Sequence, residues 1–394
     1  MRLVARMLPM AIKDSYKAVK LIERVNYPLP ILNIDILHRH RVRKFVLLNS
    51  HLQHATNWVM MFKRANDKNL AQRRALRLVN TSTLTRDEWL TVRKNGIGSS
   101  DAAAAVGLNP YQSPLELWMI KTGRDHLLPK VDPNDESTPL YWGSLLEPIV
   151  AAHYTRRTGN RVRKINAVLQ HPDPDKAWML ANIDREVLGT PSVQILECKT
   201  AGEFGTRLWR DGVPDYVLCQ VQHQLAVTGK AAADVCVLIC GQEIQVFRVD
   251  RDESLIANLI MLERAFWHYV ETDTPPPADG SESAGKALQY LSPHNIDNIV
   301  DFTQDTRMSK AFSDLISLQS EISLLEQHAS QLKQAIQQRM NGATRAQFDV
   351  GTVSWKRAKD SVVLDVERLL LDHPELAKQY PLIKPGSRRF LVST

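Results

Sequence analysis

The strongest constraint on this chain is a charged pair inside an apolar run, Ile195-Leu196-Glu197-Cys198-Lys199. In a β-strand, side chains at i and i+2 point to one face. Glu197 and Lys199 therefore project together, roughly 7 Å apart along the strand, while Leu196 and Cys198 take the opposite face. Asp184 lies thirteen positions before Glu197, at the close of a strand expected over residues 179–187. Leu188-Gly189-Thr190-Pro191-Ser192 has the residues of a turn that brings the chain back. Two carboxylates and one ammonium then meet at one sheet edge, which is a site for a hard cation with a charge partner.

The surrounding chain is that of an ordinary globular protein, with 44% apolar and 24% charged residues over 394 positions. That length supports a substantial core and more than one domain. No apolar run approaches the ~18 residues of a membrane span, so no membrane association is expected. The N-terminus lacks an apolar stretch with a small-residue cleavage site, which argues against secretion. Cys198, Cys219, Cys236 and Cys240 form no Cys-x-x-Cys and all fall in apolar segments. They read as buried free thiols in a reducing compartment, not as iron–sulfur ligands. The net charge of +7 is unevenly spread: residues 1–80 carry 16 Lys+Arg against 4 Asp+Glu, which leaves residues 81–394 at −5. Any nucleic-acid groove in the core must come from local clustering of bases.

Residues 1–80 hold a basic run, His38-Arg39-His40-Arg41-Val42-Arg43-Lys44, and short apolar clusters such as Phe45-Val46-Leu47-Leu48. They read as a basic segment of unknown role, either a DNA-contacting arm or sequence upstream of the true start. A core is expected over 81–275. It opens with a capping box, Thr85 with Glu88. Next comes Arg93-Lys94-Asn95-Gly96-Ile97-Gly98-Ser99-Ser100-Asp101 ahead of alanines 102–105. That loop reads as a helix N-terminus suited to an anion, or as a plain capped helix entry. Helices are expected over 141–154, 215–228 and 255–270, with strands over 232–240 and 244–249 joined by a Gly241 turn. Thr274-Pro275-Pro276-Pro277 ends the core, and a linker is expected over 276–300. In the extension, 301–394, Ala311, Leu315, Leu318, Ile322, Leu325, Ala329, Leu332 and Ile336 alternate spacings of four and three. That heptad seam marks a long helix packed within its own domain or against an oligomer partner. Val353-Ser354-Trp355-Lys356 and the basic tail at 384–390 read as strands. His153, His171 and His223 lack partners at metal spacing and read as structural. Trp89, Trp118 and Trp142 read as core.

Phosphodiester hydrolysis needs an activated water and neutralised phosphoryl oxygens. Asp184, Glu197 and the Cys198 backbone carbonyl can hold Mg2+, with Mn2+ as a substitute. Glu147 can add a ligand through water, and Lys199 can orient or deprotonate the water or stabilise developing charge. Four blocks occur in order: Arg93 to Ser100, Gly143-x-x-x-Glu147, Asp184 with Glu197-Cys198-Lys199, and Gln220-Val221-Gln222. Together with Ile97-Gly98-Ser99-Ser100-Asp101-Ala102-Ala103, Asn109-Pro110-Tyr111 and Ser113-Pro114-Leu115-Glu116-Leu117-Trp118, they resemble the YqaJ-type viral recombinase family. More distantly they resemble the lambda exonuclease type within the PD-(D/E)xK superfamily. The resemblance covers about residues 85–270.

It implies an α/β, restriction-endonuclease-like core, with a mixed central sheet flanked by helices and a helical C-terminal extension. The implied activity is 5′→3′ exonucleolytic digestion of double-stranded DNA from its ends, leaving single strands for a phage-type annealing protein. The implied setting is the cytoplasm of a bacterial host, with the gene carried by a phage or prophage, and a homo-oligomer, a trimer by family analogy. The implied roles are Asp184 and Glu197 as metal ligands, Lys199 as the catalytic lysine, and Glu147 and Gln220 beside them. Arg93 and Ser100 fall to a 5′-phosphate pocket. Ile183 stands where a literal Pro-Asp motif would have proline. The alternatives are a PD-(D/E)xK endonuclease of restriction or repair type and a non-catalytic DNA-binding phage protein.

Overall fold

The Glu197 strand lies at the centre of a mixed sheet. The computed structural model describes residues 74–382 and 388–393, so the basic run at 38–44 lies outside the described residues. The chain forms two units that divide between Pro293 and His294. In chain order, the first contains β1 (Leu76–Asn80), α1 (Arg86–Lys94), α2 (Ala102–Ala105), α3 (Pro114–Lys121), α4 (Pro139–Thr158), β2 (Arg161–Lys164), β3 (Ala167–Gln170), β4 (Leu180–Ala181), β5 (Arg185–Leu188) and β6 (Ile195–Ala201). It continues with α5 (Glu203–Thr206), α6 (Asp215–Thr228), β7 (Ala232–Ile239), β8 (Glu243–Asp250), α7 (Glu253–Glu271) and α8 (Glu282–Leu291).

Five strands form the central sheet in the order β2-β5-β6-β7-β8. β6 and β7 are parallel and the other neighbours antiparallel. Central parallel strands are covered on both faces and read as nearly unbroken apolar runs, which is the character of 232–239. On one face, Leu196, Cys198 and Cys236 pack with Val150, Ala151 and Tyr154 of α4. On the other, Ile195, Val235 and Val237 pack with Val221 and Leu225 of α6. Glu197 shares the Ile195 face, so strand alternation drives its carboxylate into the layer beneath α6.

Several local choices follow the sequence directly. Thr85 and Glu88 complete their capping box at α1. Cys240 (φ 48) and Gly241 (φ 71) turn the β7–β8 hairpin through the left-handed region. Gly96 is required for a different reason: a Cβ there would lie 2.5 Å from the Trp178 carbonyl oxygen, where Ile97 bridges to Met179.

Other expectations are corrected. The strand expected over 179–187 is two strands in two sheets, because β4 joins β1 and β3 while β5 joins the central sheet. Asn182, Ile183 and Asp184 form the crossing between them. The core begins before residue 81, since β1 pairs with β3. Within the expected linker, α8 is a helix capped by Ser281, with Ala284 and Ala287 buried. Its Ser283 hydroxyl bonds to Ser113 and Glu116 at α3. The small residues that read as a linker are what let this helix approach closely. Cys240 is exposed, unlike the other three cysteines, because it sits in the turn. Trp142 is 47% exposed, on the outer side of α4, whereas Trp118 is buried.

The second unit holds α9 (Thr306–Met340), β9 (Arg345–Phe348), β10 (Gly351–Ser354), α10 (Val366–Asp372) and α11 (Glu375–Gln379). α9 is the heptad helix in one piece of 35 residues. Its seam does not pack inside its own unit: Leu318, Ile322, Leu325 and Leu332 are each more than half exposed. β9 and β10 make a hairpin that includes the expected Val353–Ser354 strand, while residues 388–390 form no strand and 384–387 lie outside the described residues.

His223 of α6 is fully buried and structural. One ring nitrogen meets Glu263 Oε1 at 2.7 Å and the other meets the Leu180 carbonyl at 2.9 Å. Burial alone would lower the imidazole, but the facing Glu263 carboxylate raises it overall. The stabilisation is therefore fully present below the unfolded value of about 6.5 and is lost as pH rises through the raised folded value. Denaturant unfolding of His223→Ala should show a loss of about 3–5 kcal/mol, the cost of leaving a buried carboxylate unpaired. The loss should be smaller in alkali than near neutrality. An equal loss at every pH would contradict a charged pair.

Candidate active site

Burying a carboxylate is costly unless it is paired and hydrogen-bonded, and Glu197 is only 2% exposed. Its surroundings supply that pairing. The Lys199 ammonium donates to Glu197 Oε1 at 2.6 Å and to the Gln220 side-chain oxygen at 2.9 Å. The Gln220 amide donates to Glu197 Oε1 at 2.5 Å. The Gln224 amide, one turn further along α6, donates to Glu197 Oε2 at 2.8 Å and to the Asn182 carbonyl. Gln222 points elsewhere and ties the Asp250 carbonyl and the Asp252 N–H to the helix.

Asp184 enters from the crossing between sheets. The β5–β6 ladder ends at Arg185 opposite Leu196, and beyond that point the Asp184 carboxylate accepts the Cys198 N–H at 2.8 Å. Within an extended strand, the N–H and C=O of one residue point to the same edge. The Cys198 carbonyl therefore faces this opening, with no β5 partner. Burial first, then the Glu197 charge, pushes the Asp184 carboxyl up to about 8, with Glu147 adding to the rise. Burial alone would lower Lys199, but Glu197 and Asp184 raise it overall, so it stays an ammonium. Among the described residues, no three His, Cys, Asp or Glu side chains are grouped as a metal cage. Two converging acids, one with its proton affinity raised, beside a carbonyl with no β5 partner, fit a hard cation that keeps several waters.

Glu147 reaches the site from α4, but its carboxylate is paired with Arg185 at 2.5 Å. Any part it plays toward a cation therefore runs through water or requires leaving that arginine. Arg93 and Ser100 lie in the same cleft, about 370 Å³ in volume, which is also lined by Asp184, Glu197, Lys199, Glu147 and Gln220. The structure thus brings all the sequence-derived candidates to one place.

The loop at Arg93–Asp101 differs from a simple anion-binding helix start. Its anion is internal: Asp101 Oδ2 accepts the Gly98 N–H at 3.1 Å and pairs with buried Lys121 at 2.7 Å. Arg93 donates to Asp101 Oδ1 at 2.5 Å and to the Ser100 hydroxyl at 2.7 Å, and its guanidinium stacks 4.8 Å over Trp89. Burial alone would raise Asp101, but Arg93 and Lys121 bring it down to about 2.

Gln224, Arg185, Asp101 and Lys121 were not singled out from sequence. Gln220 and Gln224 share a helix face at i and i+4, and Arg185 is a charge inside a strand, but neither pattern reveals the partner each takes, and Asp101 and Lys121 carry no such local signal.

The chain has known relatives. A family model described as a YqaJ-like viral recombinase domain matches residues 88–231. The uncharacterized protein YqaJ of Bacillus subtilis (strain 168) is 33% identical over 313 residues, covering 78% of this chain and 94% of that protein. The chain belongs to the YqaJ-like viral recombinase family. Among solved structures, it is similar to the alkaline exonuclease LHK-Exo of Laribacter hongkongensis, with a TM-score of 0.40 at 22% identity over 48% of this chain and 93% of that one. It is also similar to a phage-related exonuclease of Haemophilus somnus 129PT, with a TM-score of 0.31 at 10% identity over 47% and 99%. No helix among the described residues is long and apolar enough to cross a membrane.

Asp101→Asn should destabilise the protein by about 3–5 kcal/mol, because it strands the buried Lys121 ammonium. The native contribution is fully present above the unfolded carboxyl value of about 3.9 and is lost as pH falls through about 2. Urea unfolding near neutrality checks it, and a variant as stable as the native protein would show that the pair contributes nothing net.

Proposed function

We propose that this chain is a metal-dependent 5′→3′ exonuclease acting on double-stranded DNA ends, which leaves single strands for a phage-type annealing protein. The observation that supports it is the meeting of Asp184, Glu197 and Lys199 in one cleft with Arg93 and Ser100. Mg2+, or Mn2+ in its place, would be held by Asp184, Glu197 and the Cys198 carbonyl, where it would acidify a water and neutralise phosphoryl oxygens.

The chain's own groups divide the remaining work. Lys199, kept charged by two acids, is an orienting and charge-stabilising group rather than a proton acceptor. Gln220 bonds both Lys199 and Glu197 and fixes their separation. Glu147 would act through water. Arg93 has five N–H donors, so it can take a terminal 5′-phosphate without releasing Asp101, and the Ser100 hydroxyl adds a further donor. A homo-oligomer belongs to the same proposal. The α9 seam favours it, since Leu318, Ile322, Leu325 and Leu332 are exposed among the described residues.

The endonuclease reading differs in one outcome. With Mg2+, linear duplex should be degraded and closed circular duplex left intact, whereas cutting of the circle would favour an endonuclease. Lys199→Ala and Glu197→Gln should each slow degradation by about 100- to 1,000-fold. Unchanged rates in both would remove the nuclease assignment and leave a non-catalytic DNA-binding protein. Arg93→Ala should slow 5′-phosphorylated ends more than 5′-hydroxyl ends. Equal slowing would remove the phosphate pocket but leave the nuclease reading standing.

A further inference from the structure

A second concavity, about 1090 Å³ in volume, lies away from the Glu197 cleft, where β1 and β3 of the small sheet meet β2 and β5 of the central one. Its lining gathers Arg74, Arg77, Arg163, Lys164 and Lys230 against one acid, Glu186. Glu186 is paired with Arg163 at 2.5 Å and lies 3.9 Å from Lys230. Arg74, Arg77 and Lys164 have no acidic partner among the described residues. This is a local excess of positive charge on residues 74–293, which carry 23 Lys+Arg against 27 Asp+Glu.

A bland explanation covers part of it. β2 is an edge strand, and charges on an edge discourage pairing with other chains. That accounts for Arg163 and Lys164. It extends to Arg77, because β1 is the edge strand of the small sheet, but not to Lys230 after α6, and it does not explain why cations from three separate elements converge on the same trough. The volume exceeds the ~300–1,000 Å³ typical of small-molecule sites, and the trough is open, so an extended polyanion fits better than a metabolite. Position supplies the last element. Ile183 lines this trough and Asp184, the next residue, lines the catalytic cleft. Asn182 also lines the cleft, so the single crossing segment 182–184 borders both concavities and separates one from the other.

We propose that this groove holds the sugar–phosphate backbone of DNA next to the catalytic cleft. The inference rests on the nuclease reading for its purpose, but its test does not require hydrolysis. The full chain, with Arg77→Glu and Lys164→Glu combined, is titrated in metal-free buffer with a fluorescent oligo-dT and with a blunt duplex. Reversal should weaken binding at least tenfold at about 100 mM salt. Losing two phosphate contacts should reduce the slope of log affinity against log salt by about 1.8 on duplex or about 1.4 on single strand. Loss confined to oligo-dT assigns the groove to the strand left behind, and loss confined to duplex assigns it to the uncut region. The charge-preserving pair Arg77→Lys and Lys164→Arg should bind like the native chain. Native affinity and slope in the reversed variant, or an equal loss in the charge-preserving one, overturns the groove. Absence of cleavage with binding still lost in the reversed variant would overturn only the nuclease reading.

Discussion

The structure is organised around a carboxylate that cannot be left alone. Glu197 is buried by strand alternation, because the apolar residues on either side of it pack against layers on both faces of the sheet. A buried carboxylate without partners would be neutralised or would destabilise the fold by several kcal/mol. Here one ammonium and two amides satisfy it, and all three donors sit on only two elements, β6 and α6. The packing of that helix on that strand is therefore inseparable from the geometry of the site, and the same helix is also anchored by the His223–Glu263 pair.

The second organising feature is a break. Where β4 leaves one sheet and β5 enters another, the ladder beside β6 stops, and the Asp184 side chain replaces a strand carbonyl as the acceptor for Cys198. The sheet is thereby opened at the position where Asp184, Glu197 and a free carbonyl meet. Burial and the Glu197 charge raise the proton affinity of Asp184, and the two acids hold Lys199 charged. Electrostatic strain of this kind is typical of functional sites, and the cation proposed above would relieve it.

Much of this was legible in the chain. Same-face placement of Glu197 and Lys199 follows from a period of two, and the helix over 215–228 is bounded in the structure as the apolar pattern indicates. The ordered blocks brought Arg93, Ser100, Glu147, Asp184 and Gln220 to one cleft. What was hidden has physical causes. Gln224 sits within the apolar face of α6, where periodicity registers a helix but not a hydrogen bond. The Arg185–Glu147 and Asp101–Lys121 pairs are long-range, and no local pattern announces them. The division of 179–187 into two strands depends on which sheet each half joins, which apolar content does not encode. α8 was concealed by a composition shared with flexible linkers.

If the proposed function is right, a cation held by Asp184 and Glu197 would compete with a proton for the Asp184 carboxyl, whose proton affinity is raised. Calorimetric titration with Mg2+ near pH 7, in two buffers of different ionisation enthalpy, tests it without DNA. The expected result is release of about one proton on binding, abolished or greatly reduced in Asp184→Asn. Binding with no proton exchange, or no Mg2+ binding at all, would contradict it.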